Sequence, residues 1–196
     1  GVSHGVFLSR GQELWAFHPR FKDNIGNSIM HAYTLDPATG SWVERGAVMD
    51  EVFFPTDAPV KMDNGSWIMP GIKVNPGGFD VEGRNKAEAA VAISHGEDLT
   101  KWDRVVIPRG PAKMWGESAV IVDGARILNV ARSEDAAYPS LLVALSEDYG
   151  RTWTPSQPSN LPFVNSKPCA GILSNGQRYV IGTTNIKDRT KRAPLT

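Results

Sequence analysis

The chain has 196 residues, 41% of them hydrophobic, and its 21 Lys and Arg balance 21 Asp and Glu. That length and apolar content can bury the core of one domain, while the absence of net charge excludes a global field that would recruit nucleic acid or an anionic membrane. No stretch is long and apolar enough to span a bilayer, and no signal peptide is evident. Cys169 is the sole cysteine, which rules out an internal disulfide framework and a thiolate metal cluster. It reads as a small buried apolar residue. Nineteen Gly and fourteen Pro, with no sustained helical periodicity, point to many short strands and tight turns.

In chain order, the first unit comprises Val6-Phe7-Leu8, a turn at Gly11, Leu14-Trp15-Ala16-Phe17 and Ile29–Thr34, and closes on Asp36–Trp42. Residues 18–28 are polar and read as a loop. The second unit begins near Asp57 and holds Pro59–Met62, an Asn64-Gly65 turn, Trp67-Ile68-Met69, a long insertion from Asn75 to Lys86, Ala89–Ile93 and Ser94–Trp102. Such an insertion is either a functional lid or a surface excursion. The third unit pairs Ala119–Val122 with Ile127–Ala131 across Asp123-Gly124, a dipeptide suited to a two-residue hairpin. Leu141–Leu145 then leads into Ser146-Glu147-Asp148-Tyr149-Gly150-Arg151-Thr152-Trp153. The fourth has Pro168–Leu173, an Asn175-Gly176 turn and Arg178–Thr183, and is unfinished.

These units repeat. The turn glycines at 11, 65, 124 and 176 are spaced by 52 to 59 residues, and Trp42, Trp102 and Trp153 follow three of them with a similar period. A four-stranded propeller blade takes roughly 40–50 residues, so the period fits blades with generous loops. The expected units are about 1–50, 51–110, 111–160 and 161–196 of a single incomplete domain. Counting back from each turn glycine reaches His4, Asp57, Glu117 and Lys167; counting forward reaches Arg20, Lys73, Arg132 and Asn185. Every hairpin thus begins and ends on a polar residue around an apolar middle. In a propeller those ends gather at a shared mouth, although charged strand ends are also what water contact alone produces.

The octapeptide Ser146–Trp153 has the form Ser-x-Asp-x-Gly-x-Thr-Trp and resembles in full the Asp-box of sialidases and related β-propellers. Ser146 and Asp148 can bond turn backbone, Gly150 supplies an unusual dihedral, Thr152 belongs to the turn, and Trp153 packs between blades. The preceding hairpin resembles the sialidase blade in which a Glu opens one strand and an Arg closes the next. The resemblance covers about residues 57–196. It implies an all-β fold, a β-propeller of the six-bladed sialidase type, with about three and a half four-stranded blades present. With no initial Met and an unfinished last unit, the chain reads as a fragment.

The resemblance also implies an exo-glycoside hydrolase removing a terminal sugar, an acidic one in sialidases, from a glycan partner, inactive as a fragment. Glu117 would polarise a Tyr nucleophile, Asp57 would stand in the acid/base place, and Arg132 would belong to an Arg cluster that grips a substrate carboxylate. Lys73, Lys167 and Arg192 (or Arg189) would be further substrate-binding cations. None of Tyr33, Tyr138, Tyr149 and Tyr179 matches the family's nucleophile, and Lys73 stands where a forked Arg would be expected. No cofactor is implied. His4, His18, His31 and His95 lack ligand spacing, so no metal is expected. Open blade faces would favour self-association. Two alternatives remain open: a non-catalytic propeller that binds glycan or protein, and a five-bladed, carboxylate-type glycosidase, whose Ser-x-Asp-Leu-x-x-Trp turn Ser94–Trp102 resembles.

Overall fold

The computed structural model describes residues 4–23, 25–74 and 87–184. The described secondary structure is fifteen strands and one short 3-10 turn at Ile25–Asn27. The first sheet joins β1 (Val6–Arg10), β2 (Glu13–Arg20), β3 (Ile29–Asp36) and β4 (Ser41–Ala47) in sequence order, all antiparallel. In the second, β5 (Phe54–Pro55) and β6 (Val60–Lys61) share one edge of β7 (Trp67–Lys73), followed by β8 (Glu88–His95) and β9 (Asp98–Val106). The third orders β10 (Met114–Asp123), β11 (Arg126–Ser133), β12 (Ser140–Ser146) and β13 (Gln157–Pro162); the fourth pairs β14 (Cys169–Ile172) with β15 (Arg178–Ile181). Three full meanders and a half one make a partial all-β propeller.

Packing explains the composition of the strands. Residues of one strand alternate between faces, so a sheet with a neighbour on each side is apolar throughout. In β8, Ala90 and Ala92 join the core shared with the first sheet, while Ala89, Val91 and Ile93 join the core shared with the third. The first sheet is covered on one side only. Trp15 and Phe17 enter the core towards the second sheet, whereas Phe7 and Trp42 remain 59% and 44% exposed on the opposite face, 6.0 Å apart.

The turns after the third strands also follow this plan. In the octapeptide, Gly150 N and the Ser146 hydroxyl are 2.9 Å apart, Thr152 N donates to Asp148 Oδ1 at 2.8 Å, and Thr152 Oγ1 donates to Asp148 Oδ2 at 2.6 Å. Trp153 Nε1 donates to Gly150 O at 2.8 Å, and the indole lies in the core with Met62, Ile68 and Ile93 of the second sheet. Gly150 has φ +81, and a Cβ there would stand 2.9 Å from Ile68 Cδ1. Trp102 repeats the arrangement one sheet earlier: its Nε1 donates to Leu99 O at 2.7 Å, and its ring meets Phe17 edge-on at 5.5 Å. Each of these two Trp residues therefore seals its own sheet against the preceding one.

The structure departs from a simple repeat, or from the sequence reading, at four places. Trp42, unlike Trp102 and Trp153, does not pack between sheets, because no sheet covers that side of β4 among the described residues. Strand β2 continues through His18-Pro19-Arg20, paired with Ile29–His31, where a loop was expected. The inner edge of the second sheet is broken rather than continuous, since Pro59 has no N–H to give a ladder and the chain bends between β5 and β6. Cys169 is exposed at the start of β14, not buried. The insertion at 75–86, Arg189 and Arg192 lie outside the described residues.

Candidate functional site

The site begins with an irregularity in β10. Met114 pairs with Ser133 and Ser118 with Ala131, so Trp115, Gly116 and Glu117 together oppose Arg132. Bulges of this kind re-aim side chains. Gly116 permits it: its φ is +88, and a Cβ would come within 2.9 Å of both Glu88 O and Ile72 Cγ2. The result places Glu117 and Trp115 around one guanidinium. Arg132 Nη1 donates to Glu117 Oε2 at 2.7 Å, and Arg132 Cζ sits 5.2 Å from the Trp115 ring centroid.

Glu134 completes the grip. Two residues beyond Arg132, it returns to the same side of the chain, and its Oε1 lies 2.5 Å from Arg132 Nη2 as an ion pair. Its other oxygen is 3.4 Å from Asn165 Nδ2. The Arg132 side chain is only 13% exposed, and its Nε is buried without a hydrogen-bond partner. Lys73 is similarly engaged, with Nζ 2.6 Å from Glu88 Oε2 across the β7–β8 ladder.

Asp57 follows the short strand β5, next to Thr56. Thr56 Oγ1 donates to Ser118 O at 2.7 Å and lies 3.3 Å from Ser118 N, which ties the Asp57 segment to the backbone beside Glu117. The Lys167 ammonium donates to Thr56 O. Burial pushes the Asp57 carboxyl above its ordinary range, against the opposing effects of the Ala58 N–H and the Lys167 charge. Burial and then Lys167 lower the His4 imidazole, with Glu117 pulling the other way. His4 also meets the Phe54 ring at 4.8 Å. Behind these residues Phe54, Ile72, Val74 and Ala87 form a buried apolar cluster, with Trp115 packed against it.

A groove of about 430 Å³ runs between the inner strands of the last three sheets, lined by Asp57, Val120, Ile121, Cys169, Ile172 and Tyr179 among others. Asp57 turns into this groove. Glu117 and Arg132 pair with each other and are not part of its lining. His4, Asp57, Glu117, Arg132, Lys73 and Lys167 all stand at the same ends of their hairpins, whereas Tyr179 sits deeper, its hydroxyl against Gly171. Sequence reasoning missed Glu134, Glu88 and Trp115. Glu134 was recoverable from its i+2 relation to Arg132, and Glu88 from the cross-strand register; Trp115 depended on the bulge. Among the described residues, no group of three or more His, Cys, Asp or Glu could hold a metal ion.

The sequence matches the family model of the BNR repeat-like domain over residues 5–196. No curated protein matches it in sequence. A mutant of Trypanosoma rangeli sialidase displaying trans-sialidase activity is similar over 99% of this chain and 36% of its own, with a TM-score of 0.67 and 16% identity. The Penicillium chrysogenum alpha-L-arabinanase is similar over 92% of this chain and 56% of its own, with a TM-score of 0.64 and 13% identity. A Dyadobacter fermentans protein of unknown function gives the same coverages, a TM-score of 0.66 and 12% identity. At such identities the likeness is one of fold, and this chain spans between 36% and 56% of the length of these three. With the family match running over almost its whole length and sialidase and arabinanase propellers as its structural neighbours, the chain belongs to the BNR repeat-like domain family and has its glycoside-hydrolase-like fold.

Proposed function

We propose that this chain forms part of a sialidase-like exo-glycoside hydrolase that removes a terminal sugar from a glycan, with Asp57 as the proton donor and Glu117 as the group that draws a proton from the nucleophile. The observation that carries this reading is the gathering of Asp57, Glu117, Arg132 and Lys167 at one end of the inner hairpins. Hydrolysis breaks the bond between the anomeric carbon and the leaving oxygen, and that oxygen must receive a proton. A carboxyl raised by burial keeps its proton nearer to neutral pH, which suits Asp57 to the donor role. Ser146–Trp153 serves as an Asp-box that braces the third blade behind the site.

The test is a panel of 4-methylumbelliferyl glycosides, neutral and acidic, assayed with the natural protein and with Asp57→Asn and Glu117→Gln. Release of the fluorophore that falls about 100-fold or more in each variant supports the reading. Glycan binding without turnover in the natural protein would instead establish a non-catalytic binding propeller. The arabinanase likeness favours including neutral furanosides in the panel.

A further inference from the structure

On the reading that the hairpin ends around Arg132 receive a sugar, we infer that Glu134 is a specificity-determining residue that makes this site select uncharged sugars and reject carboxylated ones. Arg132 is the forked cation best suited to hold a substrate carboxylate, but it is already held by two carboxylates. Glu117 takes Nη1 at 2.7 Å and Glu134 approaches Nη2 to 2.5 Å. The third nitrogen, Nε, is buried. One positive charge thus stands between two negative ones, all largely removed from water, where charge is poorly screened.

The surrounding groups do not reverse that sign. Lys73 is matched by Glu88, and Lys167 lies beside Asp57. Around Arg132 itself one cation therefore faces two carboxylates, Glu117 and Glu134, and neither the burial-raised Asp57 nor the lowered His4 enters that count. An incoming carboxylate would meet Glu117 and Glu134 on either side of Arg132, a local excess of one negative charge, with both Nη atoms already engaged in ion pairs. The half-buried Trp115 ring beside Arg132 suits the CH face of a neutral sugar.

Matched pairs decide the matter: methyl hexosides and the corresponding methyl hexuronides in the gluco and galacto series, with methyl α-N-acetylneuraminide as a further acid, titrated by NMR. The neutral members should bind about tenfold or more tighter than their acids, and Glu134→Gln should narrow that gap. Acids binding as tightly as neutral sugars to the natural protein would overturn the inference. A second readout is independent of any glycan: acetate titrated against the Trp115 indole N–H signal. The signal should stay fixed in the natural protein and move with Glu134→Gln; movement in the natural protein would refute the assignment. Failure of every sugar to bind, with the acetate result as expected, would remove the glycan reading and leave the neutralised Arg132 standing.

Discussion

Asp57 and Asp148 are both single carboxylates on turns, yet their surroundings push them in opposite directions. Thr152 bonds hold Asp148 below the ordinary carboxylate range, first through its hydroxyl and then through its N–H. Asp148→Ala should therefore cost about 1–2 kcal/mol of stability while leaving sugar binding intact, measured by denaturant titration alongside a binding assay. Because the folded pKa is depressed, the stabilisation from Asp148 is present above 3.8 and fades as pH falls through the folded value. Asp57 has the reverse sign. Its folded pKa is raised by burial, so its contribution is complete below 3.8 and is lost as pH rises through the folded value. Asp57→Asn should match the natural protein in melting temperature at low pH and exceed it near neutrality. A constant difference at every pH would show that Asp57 is not desolvated. The Asp148 arrangement was legible from the octapeptide alone, because each of its bonds is local. The shift on Asp57 was not, because Lys167 and the walls of the groove arrive from other sheets.

At the level of elements, the bulge in β10 and the Trp-sealed turns do different work. Gly116→Ala would force a side chain into a left-handed dihedral and against Glu88 O. It should cost about 1–2 kcal/mol or more and separate Glu117 from Arg132, so that the Trp115 indole signal moves even where the fold survives. The three Trp residues of the repeat should also diverge. Trp153→Ala empties a packed site between the second and third sheets and should cost about 3–5 kcal/mol. Trp42→Ala touches an exposed face and, at dilutions where the protein is a monomer, should change stability by no more than about 0.5 kcal/mol. Comparable losses at the two positions under those conditions would mean that the open face of the first sheet is covered even in the monomer. Sequence periodicity identified these residues as equivalents, and it could not distinguish them, since burial depends on what stands across from each sheet.

For the whole molecule, the described arc leaves apolar side chains at both of its ends. Phe7, Trp42 and Val43 are exposed on the first sheet, and Leu161, Ile172, Leu173 and Ile181 are exposed near the last. Between neighbouring sheets, surfaces of this type are buried by each other, as Trp102 and Phe17 are. A second copy placing its first sheet against the last sheet of this one is accordingly the expected association. Light scattering across a concentration series should give a rising mass, reduced by Trp42→Ser combined with Phe7→Ser. A mass unaffected by either concentration or substitution would refute that contact.

The sequence by itself determined the meander of short strands, their grouping into repeating units, the local bonds of the Ser146–Trp153 turn and the polar character of the hairpin ends. All of these are set by residues within a few positions of one another or by a period that survives in the chain as written. Only the tertiary structure decided that Arg132 is shared between Glu117 and Glu134, that Asp57 faces a groove, that Cys169 is exposed and that Trp42 lies open. Each of those depends on which sheet stands opposite, and on three residues of β10 opposing one of β11. That information is carried by packing between sheets, where charge, burial and close contact are fixed jointly by segments distant in sequence.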